Sequence, residues 1–389
     1  MSRTAKILLL FGLPLLLIVA VIVNTRYLRN RPALEHLSKG VDMMNTGKTQ
    51  EAEKEWRAAL RDAPDNPRPY QLLSTLYLNG GQPARAIDLL ESLQKIAPRT
   101  EHLQCKLAEA YLQTENQKKA MEVARQAVVL EPNCPTAHAV LGMAHGNIQE
   151  VPIAISELRK AYQLAPSNDK IALSFVQSLL DGNEASEAET VIRVLIPRMP
   201  SSALIHYLFG RALSRRSGDA EKVKEAAKAF EKAIELQPTL AEAYAELGRL
   251  RIQMGDNKGA VEVLEFLWKR NTRLPDVAFN LSTAYRNLGN TAMATKMVAT
   301  FKHMNELSER TEAARKKLSL RPTDVKISLE LANLEIENGT LDQAEQLLMG
   351  ILRLEPQNRE ALTAAVKLFH VQGRKDLETA YQGRLKSLK

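Results

Sequence analysis

Histidines, cysteines and carboxylates are the side chains of this 389-residue chain that could hold a metal or act on a substrate. Their spacing argues against both. His138 and His145 stand seven residues apart, two turns along a helix and too far to share one ion, so they read as packing residues. His36, His102, His206, His303 and His370 are dispersed. Cys105 and Cys134 make no CxxC pair and no zinc-ligand spacing. Cys105 falls inside a helix and Cys134 in a loop between repeats, so no disulfide is expected between them. Asp and Glu are scattered over outward faces without a paired acid–base geometry. There is no phosphate loop, no GxSxG and no HExxH. The expectation is a protein that is not an enzyme, with no metal and no cofactor.

What the sequence does carry is a period. Proline recurs every 34 residues at Pro64, Pro98, Pro132, Pro166 and Pro200, and alanine recurs 12 residues earlier at Ala52, Ala86, Ala120, Ala154 and Ala188. A fixed period of this length means one helix–turn–helix unit copied and stacked. Units begin at Ala33, Pro67, Glu101, Pro135, Asp169, Ala203, Ala241, Pro275 and Val325. The eighth place is mostly small: Gly40, Ser74, Ala108, Gly142, Val176, Gly210, Gly248, Ser282 and Ala332. The twentieth place is alanine in all nine units. The twenty-fourth is apolar, from Trp56 and Phe230 to Ala124. Places eight and twenty fall where the two helices of a unit cross, leaving space for little beyond a β-carbon. Places 4, 7, 11, 24 and 27 have helical spacing and form an apolar stripe. The closing proline stops the second helix. Gly47, Gly81, Gly255, Gly289, Gly339 and Gly373 stand between the helices, where a left-handed backbone is useful.

These positions resemble the tetratricopeptide repeat. The clearest matches are Tyr244-Ala-Glu-Leu247-Gly248 and Ala226-x3-Phe230-x2-Ala233-x4-Pro238, and the likeness extends over residues 33 to about 373. The resemblance implies an all-α fold, a right-handed superhelical α-solenoid of helix–turn–helix repeats whose first helices line a concave groove. It also implies reversible binding of a peptide or protein segment in that groove. In this family's geometry places 2, 5, 9, 12 and 13 face the groove. There they give Tyr207, Arg211 and Arg215 in the sixth unit, Arg249 and Gln253 in the seventh, and Phe279, Arg286 and Asn287 in the eighth. Guanidinium forks suit carboxylates and exposed rings give rigid contact area, so these residues form a candidate track for an acidic or C-terminal peptide segment. The competing reading is that the arginines pair with Glu242, Asp276 or neighbouring acids and only solvate the groove. In the first unit, Leu34, Leu37 and Val41 either pack on the linker from Tyr27 or offer a docking face. The pattern by which some relatives clamp chaperone C-termini is not matched, since the fifth places hold Leu37, Gln71 and Cys105.

Ile7 to Val23 is a run of 17 uncharged residues, flanked by Arg3 and Lys6 before it and by Arg26, Arg29 and Arg31 after it. At about 1.5 Å per residue it reaches the short end of a bilayer span. No small-residue cleavage site follows, so an uncleaved N-terminal transmembrane helix over about residues 7–25 is expected, within an anchor and linker of residues 1–31. Residues 33–308 then hold eight repeats, 309–324 a helical extension, 325–358 a ninth repeat, and 359–389 a degenerate repeat with a capping helix. The sixth unit carries four extra residues around Arg215-Arg216-Ser217-Gly218-Asp219. The eighth lacks its proline, so its second helix is expected to run from Thr291 towards Leu320. A net charge of +8 with interleaved signs gives no basic run for nucleic acid. The overall expectation is a single-pass protein of a bacterial inner membrane, with the repeats outside the cytoplasm, serving as a scaffold for protein or peptide partners. Two alternatives stay open: an accessory to envelope export, polysaccharide secretion or complex maturation, and a substrate-recognition subunit of a separate enzyme.

Overall fold

A computed structural model describes residues 31–215, 219–270 and 274–388. The apolar stretch Ile7–Val23, and with it the expected membrane helix, lies outside these residues. Among the described residues every regular element is an α-helix, and no described helix is long and apolar enough to cross a membrane. The chain divides into two compact units, residues 1–200 and 201–389.

The first unit is a stack of antiparallel helix pairs: α1 (31–45) with α2 (Thr49–Asp62), α3 (Pro67–Asn79) with α4 (Pro83–Ile96), α5 (Leu103–Gln113) with α6 (Gln117–Leu130), α7 (Pro135–Asn147) with α8 (Val151–Leu164), and α9 (Asp169–Asp181) with α10 (Ala185–Leu195). The second unit continues the pattern with α11 (Ala203–Ser214) and α12 (Ala220–Leu236), α13 (Ala241–Gln253) and α14 (Asn257–Lys269), and α15 (Pro275–Asn287) and α16 (Thr291–Leu320). It closes with α17 (Val325–Asn338), α18 (Leu341–Leu354), α19 (Arg359–Val371) and α20 (Lys375–Ser387). Second helices α2, α4, α6 and α8 each stop two residues before the repeat proline, because a residue preceding proline is driven out of the helical region. First helices start on side-chain caps such as Asn66, Asn168 and Ser202, whose oxygens accept backbone N–H bonds.

Eight of the pairs share one close crossing. Ala52, Ala86, Ala120, Ala154, Ala188, Ala226, Ala260 and Ala344 have no exposed surface. The small eighth place sits under the large twenty-fourth: Gly40 under Trp56, Gly142 under Leu158, Gly210 under Phe230 and Gly248 under Leu264. A β-carbon on Gly142 would stand 2.5 Å from Leu158 Cγ and 3.0 Å from the Ala154 carbonyl oxygen. In the third repeat the same space is shared differently, by Ala108 and Ala124, both fully buried.

Polar bonds at fixed places then join one pair to the next. The ring at the fourth place reaches back to the closing proline's carbonyl, which accepts from Tyr70 Oη (Pro64, 3.0 Å) and Tyr244 Oη (Pro238, 3.3 Å). His138 Nε2 lies 3.0 Å from the Pro132 oxygen in the same way. The eleventh place clasps the twenty-fifth place of the preceding repeat. Arg57 donates to Tyr77 Oη at 2.8 Å, Tyr111 Oη to Glu91 at 2.5 Å, Arg251 to Glu231 at 2.9 Å, and Tyr285 Oη to Glu265. Burial, reinforced by the adjacent carboxylates, raises the Tyr111 and Tyr285 phenols to about 12. The 30-residue α16 ends in a related clasp, where Arg315 Nη2 donates at 2.7 Å to the buried carboxylate of Glu335 on α17. The last helix, α20, buries none of its residues, as an end cap does.

The turn between paired helices repeats a left-handed residue. Gly47, Gly81, Gly255, Gly289, Gly339 and Gly373 all have positive φ, and Glu115, Gln149 and Asn183 adopt the same conformation at the equivalent place. A β-carbon in that region costs about 1–2 kcal/mol.

Three outcomes follow. Gly142→Ala lowers stability by about 1–3 kcal/mol through overpacking, read as a shift in the urea midpoint. Gln149→Gly raises stability by about 0.5–1 kcal/mol, whereas Gly81→Ala lowers it. The raised tyrosines stabilise the fold fully below their unfolded value of 10.0, and that contribution is lost as pH rises through about 12. Ultraviolet titration of Tyr111→Phe/Tyr285→Phe therefore lacks the late-ionising tyrosines of the wild type.

Candidate partner-binding face

First helices of successive repeats touch one another, α5 with α7 and α7 with α9 in the first unit, and α11 with α13, α13 with α15 and α17 with α19 in the second. Among the described residues, second helices of successive repeats make no comparable contact. The first helices therefore line the inner side of each stack, and side chains on their free surface form the candidate face.

On the first unit this surface holds charge at half-buried positions. Lys106 Nζ donates to Thr75 Oγ1 of α3 at 2.7 Å. Burial lowers the Lys106 ammonium below its ordinary value, opposed by Glu109 and assisted by Arg68. One turn on, burial raises the Glu109 carboxyl, against the pull of Lys170 and Lys106 and a hydrogen bond from Gln113. Charges held where water is scarce disfavour their own ionised forms. Such groups mark candidate functional positions.

On the second unit the structure brings part of the expected track together. Tyr207 and Arg211 lie on α11, with the Arg211 guanidinium 5.8 Å from the Tyr207 ring centroid. The ring also packs 5.9 Å from Phe230. Burial pushes the Tyr207 phenol up and Arg211 draws it down, while Glu246 and Glu242 of α13 and Arg215 act on the same ring. The surface is thus mixed in sign. Arg249 donates to Glu246 on its own helix through Nε at 3.0 Å and lies 2.9 Å from it through Nη2. That is the kind of pairing with a neighbouring acid that competes with a free basic track, made with Glu246 rather than Glu242 or Asp276. Arg215 forms the exposed C-cap of α11. Gln253 and Arg286 are exposed at the ends of α13 and α15. Phe279 is half exposed and packs its ring 5.4 Å from Phe301 of α16. Asn287 donates to Asn257 at 2.9 Å.

His138 and His145 are buried, with Nδ1 of each beside a carboxylate: Glu157 at 2.7 Å and Glu150 at 2.5 Å. One expectation is overturned. Cys105 and Cys134 are joined as a disulfide, with Cα atoms 6.9 Å apart. Cys134 caps α7, and α7 packs directly beside α5, which carries Cys105. The last place of one repeat thereby meets the fifth place on its own first helix, a neighbourhood that counting along the chain does not reveal. Lys106 stands at the sixth place of its repeat, outside the groove-facing places, and neither it nor Glu109 is among the expected residues.

A tetratricopeptide-repeat family model matches residues 44–105 and 219–273, and a second model of the same repeat matches residues 101–134. These segments carry tetratricopeptide repeats. The chain is 25% identical over 142 residues to the BBSome complex member BBS4 of Xenopus tropicalis, covering 36% of this chain and 24% of that protein. It is 26% identical over 154 residues to anaphase-promoting complex subunit 7 of Dictyostelium discoideum, covering 40% and 26% respectively. The chain thus spans about a quarter of the length of these curated relatives. A tetratricopeptide repeat protein from Parabacteroides merdae superposes with a TM-score of 0.43 at 18% identity, covering 65% of this chain and 99% of that one. Tetratricopeptide repeats bind protein or peptide partners, which fits a chain whose inner surfaces carry half-buried charge.

The sign of the Glu109 shift sets a test. A carboxyl raised by folding stabilises the native state below its unfolded value and loses that contribution as pH rises through the folded one. Glu109→Gln therefore has a higher thermal midpoint than wild type at neutral pH, and the advantage disappears in acid below the ordinary carboxylate range.

Proposed function

We propose that this chain is a non-enzymatic scaffold, tethered to a membrane by residues 7–25, which gathers partners by binding peptide or protein segments along its inner first-helix faces. The observation that carries the reading is the set of half-buried charged and aromatic groups on those faces, Lys106 and Glu109 on one unit and Tyr207 and Arg211 on the other. Charged and aromatic residues held partly desolvated on an open face are suited to a partner that completes their bonding. The interleaving of Arg211 and Arg249 with Glu242 and Glu246 favours a segment that carries carboxylates in register with the arginines over a uniformly acidic tail. The uncharged run Ile7–Val23 supports the tether.

The test replaces Gln253, at the rim of the α13 surface, with a photo-crosslinking residue in the full-length membrane-bound chain. Adduct yield is then compared between this chain and one also carrying Arg211→Ala/Arg249→Ala. The expected loss is roughly tenfold, or about 1.4 kcal/mol, and it shrinks as salt rises. Equal adduct yield at low salt contradicts the assignment of the face.

A further inference from the structure

A mixed donor cluster beside the first-helix face takes no part in the binding role. His102, Cys105, Glu131 and Cys134 each bring one ligand atom to within 4.8 Å of all the others. The sequence supplies them as two matched pairs, His-x2-Cys at the start of α5 and Glu-x2-Cys just before α7. One carboxylate organises the group. Glu131 Oε1 accepts the His102 backbone N–H at 2.8 Å, Glu131 Oε2 lies 2.6 Å from His102 Nδ1, and the same oxygen lies 3.9 Å from Cys105 Sγ.

The repeat bends to build this arrangement. α3, α7 and α9 begin at the first place of their repeats, whereas α5 begins at the third, Leu103. The residue before it, His102, sits in the left-handed region with φ of 58°, off the turn place where the other positive-φ residues recur. The two sulfurs are buried, against Ala127, Ala137 and Val128. His102 and Glu131 reach solvent, their side chains 55% and 29% exposed, so an ion can enter from that side.

We propose that these four residues form a metal site in the reduced chain. Two thiolates, an imidazole and a carboxylate are a donor set for zinc or a similarly soft divalent ion and a poor one for magnesium or calcium. The disulfide and the ion are alternative occupants. A dithiol reductant donates two electrons to the S–S bond and becomes a disulfide itself, leaving Cys105 and Cys134 as thiols. The divalent ion then displaces both thiol protons to solvent and keeps its oxidation state, taking the two thiolates, the His102 ring and a Glu131 oxygen. Either occupant ties the start of α5 to the cap of α7, and so clips the third repeat to the fourth.

Full-length chain without a histidine tag, in detergent, is reduced under argon with excess dithiol, exchanged into buffer, and titrated with zinc against a chromophoric chelator. One ion per chain is expected, with an accompanying rise in thermal midpoint. Cobalt in place of zinc is expected to give thiolate-to-metal charge-transfer absorption and the strong visible bands of a tetrahedral ion. Unreduced chain takes up neither metal until dithiol is added. His102→Ala and Glu131→Gln leave the buried sulfurs in place and weaken binding by about tenfold or more, whereas Cys134→Ser abolishes the charge-transfer band. Circular dichroism confirms that each variant keeps its helices. Reduced, helical wild-type chain that takes up no zinc overturns the proposal. So does uptake that is equal in His102→Ala and Glu131→Gln, or in a still-helical Cys134→Ser.

Discussion

Two helices cross so closely in most of the repeats that alanine fills one place, and in four of them a glycine lies beneath a large side chain at another. Everything else in the molecule is arranged around that constraint. The buried Ala154 and the glycine at 142 let Leu158 lie flat across the first helix of its own pair. Trp56 and Phe230 do the same over Gly40 and Gly210. Dispersion contacts and the exclusion of water at this point are large for so small a unit, since close packing leaves no gap for solvent. A single pair still has apolar surface on both sides, so it is stable only when other pairs cover it. The repeating proline follows from the same demand, because each second helix must stop in time for the next pair to dock.

Docking between pairs is more polar than crossing within them. Carbonyls of Pro64 and Pro238 accept bonds from the next repeat's tyrosine, and phenols or guanidiniums at the eleventh place clasp the preceding repeat. These bonds are directional, so they fix the rotation of one pair on the next in a way that apolar contact alone does not. That fixed rotation presents the first helices side by side and gives Lys106, Glu109, Tyr207 and Arg211 a common kind of surface to stand on. Partial burial disfavours the charged forms of Lys106 and Glu109, a cost that a partner's complementary groups would offset.

Much of this was legible in the sequence. Alanine at one fixed place and proline at another gave the helix pairs and their ends, and six glycines between helices gave turns that need positive φ. Glu115, Gln149 and Asn183 were not legible as left-handed residues, because the turn imposes that conformation whatever side chain is present. The disulfide was missed for a different reason. Its cysteines occupy unrelated places in the repeat and meet only because α5 and α7 pack side by side. Among the candidate groove residues, helical spacing brings Arg211 over the Tyr207 ring. It could not show that Arg249 reaches Glu246 or that Phe279 turns towards Phe301, since both depend on rotamers chosen by neighbours.

Amide hydrogen exchange across the full-length chain tests the interlocked pair most directly. If the close crossing is what holds each repeat, protection will rise and fall with the 34-residue period through the first unit, with the slowest amides around Ala52, Ala86, Ala120, Ala154 and Ala188 and the fastest at the turns holding Gly47, Gly81, Glu115, Gln149 and Asn183. Protection that ignores this period, or amides beside those alanines exchanging as fast as the turns, would contradict the account.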